Sequence, residues 1–152
     1  MVQDDKSDVT AVTAGKFHPT HTWATLEEFM RDHRTLQLLA CELSFLRAGG
    51  YGQPRRGGWH QTLIFWDSPV CLNFDSSVPH QPCERCLFFD FVPENDRDTL
   101  IPCHHIPLNS RGDTVHSLYR HASQEILDNA VQNWLEVTIE ELIKKENNHA
   151  RS

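Results

Sequence analysis

The residues best suited to chemistry lie between positions 71 and 105. The chain has five cysteines, at 41, 71, 83, 86 and 103, and ten histidines. His80-Gln-Pro-Cys83-Glu-Arg-Cys86 places two thiols in a Cys-x2-Cys turn, followed further on by Pro102-Cys103-His104-His105. Such a turn can aim two thiolates at one tetrahedral ion, with Zn–S near ~2.3 Å. Thiolate and imidazole donors favour Zn²⁺ over Mg²⁺ or Ca²⁺. The expected cofactor is therefore Zn²⁺, held by Cys83, Cys86, Cys103 and His105. His104, His80 and Cys71 stand in reserve. The Cys-x2-Cys turn resembles a generic zinc knuckle, over a few residues only.

Other chemistries fit the sequence less well. An odd number of cysteines argues against a disulfide framework. Cys41 and Cys71 fall in apolar surroundings and read as small core residues. A thiol-redox role for Cys83 and Cys86 lacks a following helix N-terminus to activate them, and Glu84 between them opposes thiolate. There is no His-Glu-x-x-His, no Walker or dinucleotide fingerprint and no Gly-x-Ser-x-Gly elbow. Arg55-Arg56 in the Gly-rich stretch 49–58 offers an anion site, set against a plain mobile connection. His33, His116 and His121 read as solvated or hydrogen-bonded histidines.

The elements that must position the cluster follow from periodicity. Thr25-Leu26-Glu27-Glu28 has the form of a capping box. It opens a helix over 26–47 with apolar residues at Leu26, Phe29, Met30, Leu36, Leu39, Ala40, Leu43 and Leu46, widened by Leu38, Cys41 and Phe45. Gly49-Gly50 ends that helix, and five of the seven glycines fall in 49–58. Aromatic and β-branched runs then predict four strands, at 60–66, 70–74, 87–92 and 100–107. A hairpin turning near residue 96 carries residue 105 back beside Cys86, with Cys103 and His105 on one face. A one-residue slip would substitute His104.

Asp113 is a candidate N-cap for the C-terminal helical region. One stripe there contains Val115, Leu118, Tyr119 and Ala122. A longer one contains Ile126, Leu127, Val131, Trp134, Leu135, Ile139, Leu142 and Ile143. The two form separate helices breaking near Asp128-Asn129, or one bent helix. The fold class expected is α+β: an antiparallel sheet of about four strands flanked by an N-terminal helix and one or two C-terminal helices. Residues 1–20 read as a flexible tail, 21–147 as one domain with a Cys/His metal-binding hairpin, and 148–152 as a C-terminal tail.

Whole-chain properties narrow the role. The 152 residues carry 14 Lys and Arg against 21 Asp and Glu, a formal charge of −7. That balance disfavours non-specific nucleic-acid binding. Mean hydropathy is −0.50 and no apolar run approaches the ~20 residues of a membrane span. The polar start, with no leader pattern, adds the expectation of a soluble, cytoplasmic protein. The leading reading is a small binding or regulatory module around a zinc site, with an unspecified protein or small-molecule partner. Alternatives are a zinc enzyme with an open metal position, a thiol-redox protein, and a metal-free protein that pairs through its C-terminal helix as a homo-oligomer.

Overall fold

A computed structural model describes residues 19–52, 62–74 and 80–151, with only the backbone given for 19–25. Residues 1–18 of the expected N-terminal tail and most of the Gly-rich stretch, with Arg55-Arg56, lie outside the described residues, while Pro19 and Thr20 belong to the first helix rather than to a tail. Three helices form the frame: α1 (Pro19–Arg47), α2 (Val115–His121) and α3 (Gln124–Arg151). Between α1 and α2 run short 3₁₀ turns, at Gly50–Gly52, Cys83–Arg85, Leu87–Phe91, Glu94–Asp96 and Pro102–His105.

The two long helices pack antiparallel. Arg47 meets Glu136 at 2.5 Å, while Lys145 reaches Glu28 at 2.9 Å and Asp32 at 2.7 Å. α1 buries Thr35, Leu39, Glu42 and Leu43, and α3 buries Leu127, Val131, Trp134, Leu135 and Thr138. Both sets follow the three-to-four spacing of one helix face. The broad stripe expected on α1 is not buried throughout: Leu26 and Met30 are about half exposed, and Cys41 is exposed rather than part of the core.

The helix boundaries differ in detail from the sequence expectation. α1 begins before Thr25, which is therefore interior to the helix rather than its N-cap, and Glu28 pairs with Lys145. At its far end Gly49 adopts φ +73, the left-handed stop that glycine takes without a Cβ penalty. The C-terminal break falls at Ala122-Ser123, earlier than Asp128-Asn129. Thr114, not Asp113, caps α2: its Oγ accepts from the Ser117 amide at 3.0 Å, and the Ser117 hydroxyl accepts from the Thr114 amide at 2.9 Å.

The α+β expectation is overturned: among the described residues there are no strands and no sheet. The segments read as strands close their hydrogen bonds locally. Phe89 donates to Cys86, Val92 to Phe89, His104 to Ile101 and Ile106 to Cys103. Adjacent Ile64 and Phe65 are both buried, and Phe88 and Val92 are buried four residues apart. Adjacent burial at 64 and 65 breaks the alternation of a half-buried strand, and so does the exposed Asp90, which would share a strand face with Phe88 and Val92. Prolines at 69, 82, 93, 102 and 107 recur through this region and remove donors that a ladder would use. Short apolar runs do not by periodicity alone distinguish a strand from a compact turn.

The turn region packs its aromatic residues on α3. Phe65 and Phe88 lie 4.8 Å apart by ring centroid, and Phe91 meets Trp134 edge-on at 5.3 Å. Phe65 holds φ 64, a backbone region costly for a residue with a Cβ. Its amide is fixed by the Tyr51 hydroxyl at 2.8 Å.

Candidate metal centre

Three segments separated in sequence converge on one small cavity. Cys71 sits in a run of turns in which Cys71 donates to Ser68 and Phe74 donates to Cys71. The Asn73 side chain clips this run to the next: its amide donates to the Gln81 carbonyl at 3.0 Å and its oxygen accepts from the Gln81 amide at 2.7 Å. That clip brings Cys71 beside the Cys83–Cys86 turn, itself closed by the Cys86 amide on the Cys83 carbonyl at 2.9 Å. Cys103 arrives on the Pro102–His105 turn. The neighbouring His104 anchors this turn by donating from Nε2 to the Ile64 carbonyl at 2.7 Å. A carbonyl can only accept, so this contact sets the Nε2–H tautomer.

Cys71, Cys83, Cys86 and Cys103 line the same cavity of about 30 Å³, walled by apolar side chains that include Phe65 and Phe88. All four are half-buried, and all are free thiols. Burial pushes each thiol above its ordinary pKa, and the thiols reinforce one another: Cys86, Cys71 and Cys83 all push Cys103 upward. Without a compensating cation the four stay protonated. Backbone amides act the other way. The Asn73 and Phe74 amides favour thiolate at Cys71, and those of Phe88 and Phe89 do so at Cys86. Both cysteines thus receive amides from the residues two and three positions on. Donors directed at a sulfur stabilise its charged form.

The predicted ligands separate at His105. Cys83, Cys86 and Cys103 share the cavity. His105 faces elsewhere, with Nδ1 3.7 Å from Asp96 and its ring stacked on His116 at 4.7 Å. The hairpin that would have carried it to Cys86 does not form. His80 is exposed and stacks on Trp66 at 5.8 Å. His104 is buried, and burial lowers its pKa. Cys71, held in reserve by the sequence reading, lines the cavity beside Cys83, Cys86 and Cys103. Among the described residues no group of three or more His, Cys, Asp or Glu is assembled as a metal site. The ready-made metal site expected from the sequence is therefore corrected to four thiols around a cavity.

Sequence reasoning missed a buried polar cluster next to this region. Glu42 is fully buried on the inner face of α1, where it accepts from the Tyr51 and Ser68 hydroxyls. Burial raises its pKa, against the lowering by these two hydrogen bonds. A signal was present: Glu42 falls within the Leu39, Leu43, Leu46 stripe.

Comparison of the chain with family models, curated proteins and solved structures gives no match. Among the described residues no helix is long and apolar enough to cross a membrane.

Proposed function

We propose that this chain is a small helical binding module whose turn region is held together by Zn²⁺ on Cys71, Cys83, Cys86 and Cys103. The observation that carries this reading is the convergence of four free cysteines from three segments on one apolar cavity. Zinc replaces the thiol protons and supplies the charge that four buried thiolates need. Binding draws the sulfurs inward to ligating distance, so metal uptake is coupled to tightening of residues 71–103. Four thiolates fill a tetrahedral zinc site and leave no position for an activated water. The metal is thus structural, and the module's role is recognition rather than hydrolysis. Raised thiol pKa values disfavour the redox alternative.

Metal analysis of the full chain and two variants tests the reading. One Zn²⁺ per chain is expected in the parent and in His105→Ala, and none in Cys71→Ser. A parent that neither retains nor takes up zinc would overturn it. So would a Cys71→Ser protein that keeps its metal while His105→Ala loses it.

A further inference from the structure

A second concave site lies beside the cysteine cavity and differs from it in chemistry. It is a groove of about 380 Å³ between α1 and the turns. Its apolar wall includes Leu38, Leu72 and Leu87, and its rim carries Arg31, Arg34 and Arg85. Leu72 is 46% exposed, an apolar surface left open to solvent. Arg31, Arg34 and Leu38 are three and four residues apart, so one stripe of α1 presents both cations and apolar surface.

The charge at this groove opposes that of the chain, which is −7 overall. Asp90 engages Arg31 through three contacts, from Nε at 2.8 Å and from Nη2 at 2.6 Å and 2.5 Å. That ion pair fixes Arg31 against the Leu87–Phe91 turn. Among the described residues, the Arg85 side chain bonds only the neutral Gln81 side chain, at 3.2 Å. Arg34 has no carboxylate partner among the described residues. Two guanidinium groups therefore face the groove without a counterion from the described part of the chain. Guanidinium forks bind carboxylate and phosphate-like oxygens in bidentate fashion. The volume falls in the range of small-molecule pockets, ~300–1,000 Å³.

We propose that this groove binds a small amphipathic organic anion, its acidic head on Arg34 and Arg85 and its apolar body against Leu38, Leu72 and Leu87. The two chemistries must act together, since the head group alone gains little from exposed cations screened by salt. The groove abuts the proposed zinc site, since Cys86 also lines it, Arg85 and Leu87 flank Cys86, and Leu72 follows Cys71; zinc content is therefore measured alongside ligand binding.

Decanoate is the probe, titrated into the full chain at low salt and followed by amide and arginine Nε–H NMR shifts. Decanol supplies the same body without the charge, and inorganic phosphate supplies charge without the body. Decanoate is expected to shift signals of Arg34, Arg85 and Leu72, and to bind at least about tenfold more tightly than either control. Arg34→Gln/Arg85→Gln is expected to weaken decanoate about tenfold or more, while Arg47→Gln, on the far end of α1, leaves it unchanged. All of these substitutions are at exposed positions, and zinc content and melting temperature are recorded for each. Equal binding of decanol, equal competition by phosphate, or undiminished decanoate binding in the double variant would overturn the proposal. Zinc content that stays at the parental value separates failure here from failure of the metal reading.

Discussion

Glu42 shows how much one side chain can set. It is an acid at a core position, and its two hydroxyl partners join α1 to Tyr51 and to Ser68. Its carboxyl holds a proton more tightly in the folded chain than in the unfolded one. The linked stability is therefore fully present at low pH and is lost as pH rises through the raised folded value. The unfolding free energy of the parent minus that of Glu42→Gln should fall as pH rises above the ordinary carboxylate range. A difference independent of pH would contradict the assigned direction. At the same scale, Thr114→Ala removes the cap of α2 and should cost ~1 kcal/mol in chemical denaturation.

Among the elements, apolar burial between α1 and α3 outweighs the charges that decorate it. Leu39 and Leu135 are fully buried on the facing helices. Leu39→Ala or Leu135→Ala should each cost ~2–5 kcal/mol by denaturant titration. Arg47→Ala breaks an exposed pair with Glu136 and should leave the transition close to that of the parent, because solvent and salt screen such pairs. A larger loss from Arg47→Ala than from Leu135→Ala would reverse this ranking. The turns between the helices depend on side-chain clips rather than on a ladder, Asn73 on Gln81 above all.

For the molecule as a whole, Trp134 and zinc should fail in different ways. Trp134 joins α3 to Phe65, Phe88 and Phe91. Truncating it to alanine should cost ~3–5 kcal/mol and lower the melting temperature with or without metal. If the four cysteines hold zinc as proposed, chelation of the parent should instead reproduce the melting temperature of Cys83→Ser, since both would remove the same ion. Calorimetry of the parent, the chelated parent and both variants checks this. Different melting temperatures for Cys83→Ser and the chelated parent would argue that the cysteine stabilises the fold without a metal.

The sequence by itself determined the two long helices, the glycine that stops the first, the burial of Trp134 and the Cys83–Cys86 pair. Each is a local property: helical hydrogen bonds join residues four apart, so their spacing is visible in the chain. Residues 62–113 were not legible in this way. Their aromatic and β-branched runs suit a strand or a compact turn equally, and contacts distant in sequence make the choice. His104 binds Ile64 forty residues away, and Tyr119 accepts from the Ile64 amide at 2.9 Å. Those contacts fold the region as turns, which moved His105 away from the cysteines and brought Cys71 in. The arginine groove arises in the same way, since Arg31 and Arg34 meet Arg85 only after α1 has packed against the turns. Tertiary structure decided which donors share a site, because proximity between segments depends on packing and leaves no period in the sequence.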